Sequence, residues 1–497
     1  MYIYGIDFLS IENVLEILEN PAKAQLNDAA RQQILKSEEN VKHIVASDRT
    51  VYGINTGFGP LCDTKISEEA TAQLQHNLII SHAVGVGKPI EKKLSKLMMI
   101  AKIHALSKGF SGVSLEMIER LILMLEKDLI PVVPGQGSVG ASGDLAPLSH
   151  LVLPLIGLGE IWENNQPQPA AEVLKKHQIT PLKLKAKEGL GLINGTQFIL
   201  AHSILGLEKM KYLLDLADMA AAMSLEAYRG SASPFKKELH EIRPYAGTQQ
   251  VAERMRLFLK DSENLNAHQD CDRVQDPYSM RCVPQVHGAS RNAYLHLKQM
   301  AEVELNSVTD NPIVLSAEES ISGGNFHGQP MALPLDYATL AAAELGNISD
   351  RRCYLLIEGK FGLPRLLTTS SGLNSGFMIP QYTTAALVTE NKTLCFPASA
   401  DSIPTSLGQE DHVSMGSISG RKFNQVLDNL VNIFAVELMY AAQGLEFRRP
   451  AQCSDIIEEN FSIIRSVVPK LEEDRLIGKD MLKIAQLIRE RAFKVAP

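Results

Sequence analysis

The chain has 497 residues and a formal net charge of −8 at neutral pH, with 45% hydrophobic and 21% charged residues. This composition is typical of a folded globular protein with several domains, and it excludes extended disorder. A mildly acidic chain without a block of basic residues argues against nucleic acid as the main partner.

The N-terminal sequence, Met1 to Asp7, lacks the basic and apolar regions of a signal peptide. No run reaches the ~20 apolar residues that a membrane helix needs. The six cysteines show no CxxC pairing, so their spacing gives no sign of a metal site. We therefore expect a cytoplasmic protein that binds neither a membrane nor a metal ion.

Short helices with polar faces are predicted for residues 11 to 50. A turn-rich motif follows, Tyr52-Gly53-Ile54-Asn55-Thr56-Gly57-Phe58-Gly59, and it is either a surface turn or a loop that presents its tyrosine to a cleft. The periodicity of residues 67 to 83 predicts a helix with His82 on the same face as Leu78. Taken alone, such a histidine is more simply a core residue with a satisfied hydrogen bond.

Residues 114 to 130 have an amphipathic pattern that Ser114 caps and Pro131 ends. The stretch from Gly135 to His150, GQGSVGASGDLAPLSH, follows directly and is rich in glycine and nearly free of charge. Glycine and proline interrupt it too often for a long helix or a central strand. Because apolar sequence lies on both sides, we expect a loop set into the protein rather than a solvated linker.

Beyond residue 195 the pattern changes to long segments with helical period, at 197–228, 285–308, 335–360 and 420–445. Such lengths, without strands between them, indicate an elongated helical bundle. We therefore predict an N-terminal domain of mixed structure that carries the Gly-rich loop, then a central bundle and a C-terminal helical layer, with bounds 1–195, 196–450 and 451–497.

The first interpretation of the Gly-rich stretch is a dinucleotide site, because Gly135, Gly137 and Gly140 fit the G-x-G-x-x-G pattern. However, Pro134 precedes the pattern, Pro147 stands where the helix should run, and no alternating parallel sheet is predicted to follow. We therefore expect no nucleotide cofactor. The second interpretation is a purely structural turn packed against the core.

The third interpretation is chemical and concerns Ala141-Ser142-Gly143. Attack of the Gly143 amide nitrogen on the Ala141 carbonyl closes a five-membered ring, and a glycine permits the close approach. Loss of water from Ser142 then leaves an exocyclic methylene. The product is an electrophile, which no ordinary side chain provides.

The run Gly140-Ala141-Ser142-Gly143-Asp144-Leu145 resembles the signature of the aromatic amino acid ammonia-lyases and aminomutases. The resemblance extends over nearly the whole chain, from the Tyr52 motif to Gln443-Gly444. It implies a mainly α fold of the fumarase/aspartase-like superfamily and a homotetramer whose sites combine loops from three subunits. It also implies a 4-methylidene-imidazol-5-one (MIO) prosthetic group, formed autocatalytically from residues 141 to 143.

The resemblance implies roles for further residues. Tyr52 matches the family's base for the β-proton, Arg281 matches the arginine that binds the substrate carboxylate, and Tyr278 matches a second active-site tyrosine. Amide side chains near the ring are expected to hold its oxygen as an oxyanion hole does. The residues that match those around the ring and the substrate are Asn194, Gln275 and Phe326.

Two places bear on substrate choice. Ser81-His82 matches the pair of histidine-using members, although some tyrosine-using members share it. Glu410, in Gln409-Glu410-Asp411-His412, resembles a glutamate characteristic of histidine-using members, and a carboxylate accepts an imidazole N–H where a phenyl ring offers none. The resemblance therefore implies elimination of ammonia from L-histidine to give trans-urocanate.

Two alternatives remain open at this point. One is a lyase or aminomutase that acts on tyrosine or phenylalanine with the same electrophile. The other is a helical assembly protein of fumarase-like architecture in which Ala141, Ser142 and Gly143 stay unmodified.

Overall fold

The computed structural model describes residues 1–47, 49–57, 68–267 and 274–496. Cys62 and Cys271 therefore lie outside the described residues, as do Phe58 and Gly59 of the turn-rich motif. Within the described residues, no helix is long and apolar enough to cross a membrane.

Helices dominate the described chain, which confirms the expected mainly α fold. In chain order the helices are α1 Ile11–Glu19, α2 Asp28–Ala46, α3 Glu68–His82, α4 Lys92–Leu106, α5 Leu115–Glu126, α6 Leu145–Val152, α7 Ala170–Lys176, α8 Glu188–Ile193, α9 Gln197–Tyr228, α10 Lys237–Glu241, α11 Ala246–Phe258, α12 Glu263–Asn266, α13 Tyr278–Arg281, α14 Val283–Leu305, α15 Gln329–Ile357, α16 Met378–Leu394, α17 Gly416–Glu446, α18 Asp455–Val467 and α19 Ile477–Arg489.

Short strands form four small sheets in the same residues. The strands are β1 Tyr2–Ile3, β2 Ala24–Gln25, β3 Val86–Pro89, β4 Ile130–Pro131, β5 Pro134–Gln136, β6 Glu160–Glu163, β7 Gln166–Pro169, β8 Ile313–Val314 and β9 Ser320–Ile321. Strands β1 and β2 pair in parallel, whereas β3–β5, β4–β6–β7 and β8–β9 are antiparallel.

The chain forms two compact units, each assembled from three stretches. Unit 1 comprises Met1–Leu205, Leu297–Leu335 and Pro397–Arg421, and it contains strands β1 to β9. Unit 2 comprises Gly206–His296, Asp336–Phe396 and Lys422–Pro497, and its described regular structure is helical. The division of the chain at residues 195 and 450 stays a prediction.

Local signals explain several helix ends. Ser114 caps α5, and its hydroxyl oxygen accepts a hydrogen bond from the Met117 backbone N–H, as its position predicts. The helix ends at Glu126, before the predicted Pro131, which lies in β4. Helix α9 has the predicted bounds, whereas α15 begins earlier than predicted and contains Pro334. The short β8 and β9 lie between α14 and α15, where no strand was expected.

The Gly-rich stretch differs from the sequence interpretation in one respect. Strand β5 leads into it, and α6 begins at Leu145 with Pro147 in its first turn. Contrary to the sequence interpretation, Pro147 does not exclude a helix here, because a proline in the first turn leaves no hydrogen bond of the helix unmade. The dinucleotide motif still does not fit, because it needs a parallel sheet and β5 pairs antiparallel with β3.

Unit 2 buries a network of ion pairs between its helices. Asp218 of α9 accepts from Arg254 Nε and from His287 Nδ1, both at 2.8 Å, and also pairs with Arg291. Burial alone would raise the pKa of Asp218, but Arg291 and the other cationic partners lower it to about 2.

Candidate active site

The Ser142 hydroxyl and the Glu410 carboxylate are in direct contact, although the two residues are far apart in sequence. Ser142 Oγ donates a hydrogen bond to Glu410 Oε1 at 3.1 Å. Both residues belong to unit 1. The sequence assigned the first to the prosthetic group and the second to substrate recognition, and the fold places them side by side.

The backbone of residues 141 to 143 is bent tightly, and Gly143 makes the bend possible. Its φ is +77°, and a Cβ added there would lie 2.1 Å from the Gly195 carbonyl oxygen. Ala141 and Gly143 form an isolated β-bridge with each other, and Gly143 forms a second one with Gly195. A side chain at residue 143 would fill the space that this bend requires, so the segment fits the cyclised group that the sequence implies.

A second segment of unit 1, residues 413 to 417, holds this bend from behind. The Met415 N–H donates to the Val139 carbonyl at 2.9 Å, and Ser417 Oγ donates to the Ser138 carbonyl at 2.6 Å. Ala141 is buried in a cluster with Val413 and Met415. Glu410 lies three residues before this segment, so the same contacts help to position Glu410 beside Ser142.

Asp144 joins the bend to the start of α9. Its Oδ2 accepts the backbone N–H groups of Phe198 and Ile199, both at 3.0 Å, and its own N–H donates to Gly195 O at 2.7 Å. Burial raises the pKa of Asp144 to about 7, against the opposing effect of these N–H donors. A carboxyl group at a helix N-terminus is favourably placed with respect to the helix dipole.

Asn194 ends α8, and its side chain is held by the loop before β8. Its Nδ2 donates to Asn311 O at 2.8 Å and to Asp310 Oδ1 at 3.4 Å. Its Oδ1 is buried without a hydrogen-bond partner in the described chain. Both amide hydrogens are therefore engaged, and the oxyanion-holding role stays a prediction that requires these bonds to rearrange.

A buried lysine that the sequence analysis did not single out, Lys102 of α4, supports the same segment. Its Nζ donates to the carbonyl oxygens of Asn194 at 2.5 Å and Gly191 at 3.2 Å, at the C-terminal end of α8. Burial lowers the pKa of Lys102 to about 7, although the charge of Asp310 opposes this effect. Asp310 also pairs with buried Lys187 at 2.6 Å.

His82 is the last residue of α3 and is partly buried. Its Nδ1 lies 2.8 Å from the Leu78 carbonyl oxygen, which can only accept, so Nδ1 carries the hydrogen and Nε2 is left as an acceptor. Burial lowers the pKa of His82, whereas the Leu78 carbonyl and the negative charge of Glu410 oppose that shift. The His82 imidazole thus lies within the electrostatic reach of Glu410.

The strand pair β3–β5 connects the end of α3 to the Gly-rich stretch. Val86 pairs with Gln136. In addition, the Gly85 N–H donates to His150 Nε2 of α6 at 3.0 Å. The chain that follows His82 and the chain on either side of residues 141 to 143 are therefore fixed to each other.

Tyr52 lies in a turn that its own motif residues shape. Asn55 Oδ1 accepts the Val51 N–H at 2.8 Å, and Thr56 Oγ1 accepts the Gly53 N–H at 3.1 Å. Gly53 has a φ of +70°, and a Cβ there would meet Leu190 of α8 at 2.4 Å. The Asn and Thr of the motif thus set the shape of the turn that presents the tyrosine.

Phe326 is partly buried and lies next to His327. His327 Nε2 donates to the His412 carbonyl oxygen at 3.2 Å, and the two imidazole rings are stacked with centroids 5.9 Å apart. Because His412 follows Glu410 closely, this contact connects the Phe326 loop to the Glu410 loop.

The remaining predicted residues lie in unit 2, so the structure divides the site residues into two sets. The first set comprises Tyr52, His82, Ala141, Ser142, Gly143, Asn194, Phe326 and Glu410. The second set comprises Gln275, Tyr278 and Arg281. In the second set, Arg281 Nε donates to the Asp276 carbonyl at 2.9 Å, and the guanidinium carbon lies 4.7 Å from the centroid of the Tyr278 ring.

Gln275 and Arg281 line a cavity of about 910 Å³ within unit 2. Among the described residues, its charged lining comprises four cationic side chains and one acidic side chain, which are Arg229, Lys236, Arg256, Arg281 and Asp276. This excess of positive charge favours an anionic group such as a carboxylate. In the described residues, no group of three or more His, Cys, Asp or Glu is arranged to hold a metal ion.

Sequence reasoning missed the residues that hold the predicted ones in place. Lys102 stands alone in an apolar helix, Met98-Met99-Ile100-Ala101-Lys102-Ile103, and this isolation is a signal that could have identified it. Thr405 and Ser406, whose hydroxyls donate to Glu410 Oε2 at 2.8 and 2.9 Å, carry no comparable signal in the sequence.

Comparison with known proteins places these residues in a family context. The family model described as aromatic amino acid lyase matches residues 9–466. The histidine ammonia-lyase of Deinococcus radiodurans is 46% identical over 98% of this chain and 94% of its own length. That of Natranaerobius thermophilus is 44% identical over 97% of this chain and 96% of its own length.

Solved structures of related enzymes have a backbone similar to that of this chain. The histidine ammonia-lyase of Trypanosoma cruzi has a TM-score of 0.90 at 40% identity, covering 99% of this chain and 94% of that one. The tyrosine aminomutase of Streptomyces globisporus has a TM-score of 0.93 at 33% identity, covering 99% and 97%. Backbone similarity therefore does not separate the two activities, whereas identity is higher to the histidine ammonia-lyases.

Proposed function

Because this chain belongs to the aromatic amino acid lyase family, we propose that it eliminates ammonia from L-histidine and releases trans-urocanate. The enzyme is a carbon–nitrogen lyase. The observation that carries the choice of substrate is the Glu410 carboxylate, whose Oε1 lies 3.1 Å from Ser142 Oγ. A carboxylate at this position offers an acceptor to an imidazole N–H next to the reacting segment.

The prosthetic group proposed for this reaction is the methylidene-imidazolone formed from Ala141, Ser142 and Gly143 with loss of two waters. Its support is the bend at Gly143, which leaves no room for a side chain. When formed, the group supplies the electrophile that activates the substrate. Asp144 and the contacts of residues 413 to 417 hold the segment in place during and after its formation.

The remaining chemistry is assigned to side chains of the chain itself. Tyr52 accepts the β-proton of the substrate, which requires surroundings that favour its phenolate. Arg281 binds the substrate carboxylate, for which a planar guanidinium is well suited. His82 and Glu410 hold the imidazole ring. The groups that surround the ring and the substrate are Asn194, Gln275, Tyr278 and Phe326.

We propose further that the protein is a homotetramer in which each site takes residues from three subunits, as its family membership implies. Under this proposal the set of site residues in unit 1 and the set in unit 2 come from different subunits at any one site. The two sets are compact by themselves: Ser142 contacts Glu410 in the first, and Arg281 stacks on Tyr278 in the second.

The second candidate function is a lyase or aminomutase for tyrosine or phenylalanine, which the similarity to tyrosine aminomutase keeps open. Glu410 argues against phenylalanine. A phenyl ring would leave Oε1 of this carboxylate without a donor after Ser142 has lost its hydroxyl, whereas an imidazole N–H would supply one, and a buried acceptor without a partner costs roughly 1–3 kcal/mol. A tyrosine substrate carries a hydroxyl donor of its own, so the assay with three substrates decides that case.

The test is a three-substrate assay of the purified protein with L-histidine, L-tyrosine and L-phenylalanine at equal concentrations. We expect release of ammonia from histidine that exceeds the rate with either other substrate by about 100-fold or more. Turnover of tyrosine without turnover of histidine would reject the proposed substrate. Recovery of a β-amino acid as the main product would instead indicate an aminomutase.

A further inference from the structure

The two oxygens of the Glu410 carboxylate have different hydrogen-bond partners. Oε1 accepts from Ser142 Oγ at 3.1 Å. Oε2 accepts from two hydroxyls of the preceding turn, Thr405 Oγ1 at 2.8 Å and Ser406 Oγ at 2.9 Å. The carboxylate is therefore held from one side through Oε2, while Oε1 faces the reacting segment.

The turn that carries these hydroxyls has an unfavourable backbone conformation. Ser406, Leu407 and Gly408 are consecutive residues with left-handed φ values of 48°, 56° and 87°. Side-chain-bearing residues seldom adopt this region, so the turn is strained. Thr405 and Glu410 close it through backbone bonds at 2.9 and 3.4 Å. The result of this strained turn is that both hydroxyls reach one oxygen.

The two oxygens also differ in what happens to their partners when the prosthetic group forms. Ser142 loses its hydroxyl as water, so Oε1 loses its donor. Oε2 keeps both of its donors, because Thr405 and Ser406 do not take part in that reaction. After formation of the ring, Oε1 is the carboxylate oxygen left to accept an N–H from a substrate.

We infer that Thr405 and Ser406 are positioning residues that give the enzyme its preference for an imidazole side chain. They fix the Glu410 carboxylate so that Oε1, rather than Oε2, faces the substrate ring. This inference rests on the proposed function and assigns the selectivity to Thr405, Ser406 and Glu410 together rather than to Glu410 alone. A hydrogen bond to a charged group contributes about 10-fold or more to an equilibrium, so each hydroxyl has a measurable effect.

The variants Thr405→Val and Thr405→Ser separate the hydroxyl from the shape of the side chain. Valine keeps the branched shape and removes the hydroxyl, whereas serine keeps the hydroxyl. We expect kcat/KM for L-histidine to fall about 10-fold in Thr405→Val and in Ser406→Ala, and to stay within about two-fold of wild type in Thr405→Ser. The control Ser466→Ala removes a hydroxyl of α18 that bonds the Ile463 carbonyl instead of Glu410, and it should keep the wild-type preference.

Binding without turnover gives a readout that does not depend on the prosthetic group. Ser142→Ala removes the same hydroxyl that ring formation removes, so it leaves Oε1 available in an unreactive protein. In that background we measure calorimetric binding of L-histidine and L-phenylalanine with and without Thr405→Val and Ser406→Ala together. Histidine affinity should fall by about 10- to 100-fold, and phenylalanine affinity should not change.

Equal loss of affinity for both amino acids, or no loss for histidine, would overturn the inference. The intact mass of each variant that retains Ser142 shows whether two waters have been lost. If a variant fails to form the ring, its kinetics are set aside and the binding measurement tests the inference. If the wild-type protein does not turn over histidine at all, the proposed function fails. If the wild type uses histidine and Thr405→Val has unchanged kinetics, only the inference about Thr405 and Ser406 fails.

Discussion

At Glu410, the proposed selectivity depends on which groups reach the carboxylate. His82 is near enough for Glu410 to act on its pKa, which burial lowers. Under the proposed function, His82 Nε2 and Glu410 Oε1 are acceptors for a substrate ring that carries an N–H group. This combination discriminates against rings without donors because the acceptors would remain unpaired.

Replacing Glu410 by Gln tests the role of the charge while the side-chain shape is kept. We expect kcat/KM for histidine to fall by about 10- to 100-fold, the usual effect of losing a charge-assisted hydrogen bond. Steady-state kinetics with L-histidine measures this, and intact mass checks that two waters are still lost. Glu472→Gln, at an exposed position, is the control; wild-type kinetics in Glu410→Gln would contradict the assignment.

Ser142→Ala removes the hydroxyl whose loss as water is proposed to create the electrophile. We expect no measurable turnover and no loss of the two waters in the intact mass, with circular dichroism and thermal midpoint close to wild type. The matched control is Ser149→Ala in α6, because Ser149 Oγ is buried without a hydrogen-bond partner in the described residues. This control should keep both turnover and the mass deficit; full activity in Ser142→Ala would exclude the proposed electrophile.

Among the elements, helix α4 supports the C-terminal end of α8 through the buried side chain of Lys102, and burying its ammonium group costs free energy. Lys102 bonds the carbonyls of Gly191 and Asn194, which have no partner within α8 because they lie at its C-terminal end. These bonds hold Asn194 and Gly195, against which Gly143 packs. The cost of burial appears as a pKa of Lys102 lowered to about 7.

This lowered pKa predicts how stability depends on pH. Between pH 7 and the ordinary value of 10.5, the unfolded chain binds a proton at Lys102 that the folded chain does not, so the stability contribution rises with pH. Relative to Lys102→Met, the wild-type free energy of unfolding should increase by roughly 3 kcal/mol from pH 7 to pH 9.5. Urea unfolding at several pH values measures this.

The control for that experiment is Lys479→Met, which removes an exposed lysine at the start of α19. Its stability should follow the wild-type pH dependence throughout the range. Parallel pH profiles for wild type and Lys102→Met would show that Lys102 stays protonated in the folded state, contrary to the expected effect of burial.

At the scale of the whole molecule, the predicted site residues form two sets, one in each unit, that would have to serve one reaction. Unit 1 brings Ser142, His82 and Glu410 together, and unit 2 brings Arg281, Tyr278 and Gln275 together. The proposed tetramer combines sets from different subunits, which makes assembly a condition for activity rather than an aid to stability.

Complementation between inactive variants tests this arrangement. Ser142→Ala and Arg281→Ala should each be inactive as pure tetramers. In co-expressed mixed tetramers, about one quarter of the sites would combine two intact sets, so about one quarter of wild-type activity should return. Mixing the purified variants without dissociation is the control and should restore none. Absence of activity in co-expressed material would show that both sets must come from one chain.

The sequence by itself determined the mainly α fold and most of the long helices, and it supplied the prediction for the chemistry of residues 141 to 143. It did so because helical periodicity, capping residues such as Ser114, and the run Ala141-Ser142-Gly143 are local features. Even there, a local rule misled at Pro147, since a proline stops a helix in its interior but not in its first turn.

Only the tertiary structure decided which distant residues meet. It brought Glu410 to Ser142, Gly195 to Gly143 and Lys102 to the end of α8, and no spacing in the sequence encodes these contacts. It also revealed that Thr405 and Ser406 hold one oxygen of Glu410. The physical reason is that such contacts depend on how helices and loops pack over long separations, whereas patterns along the chain report on the nearest turns alone.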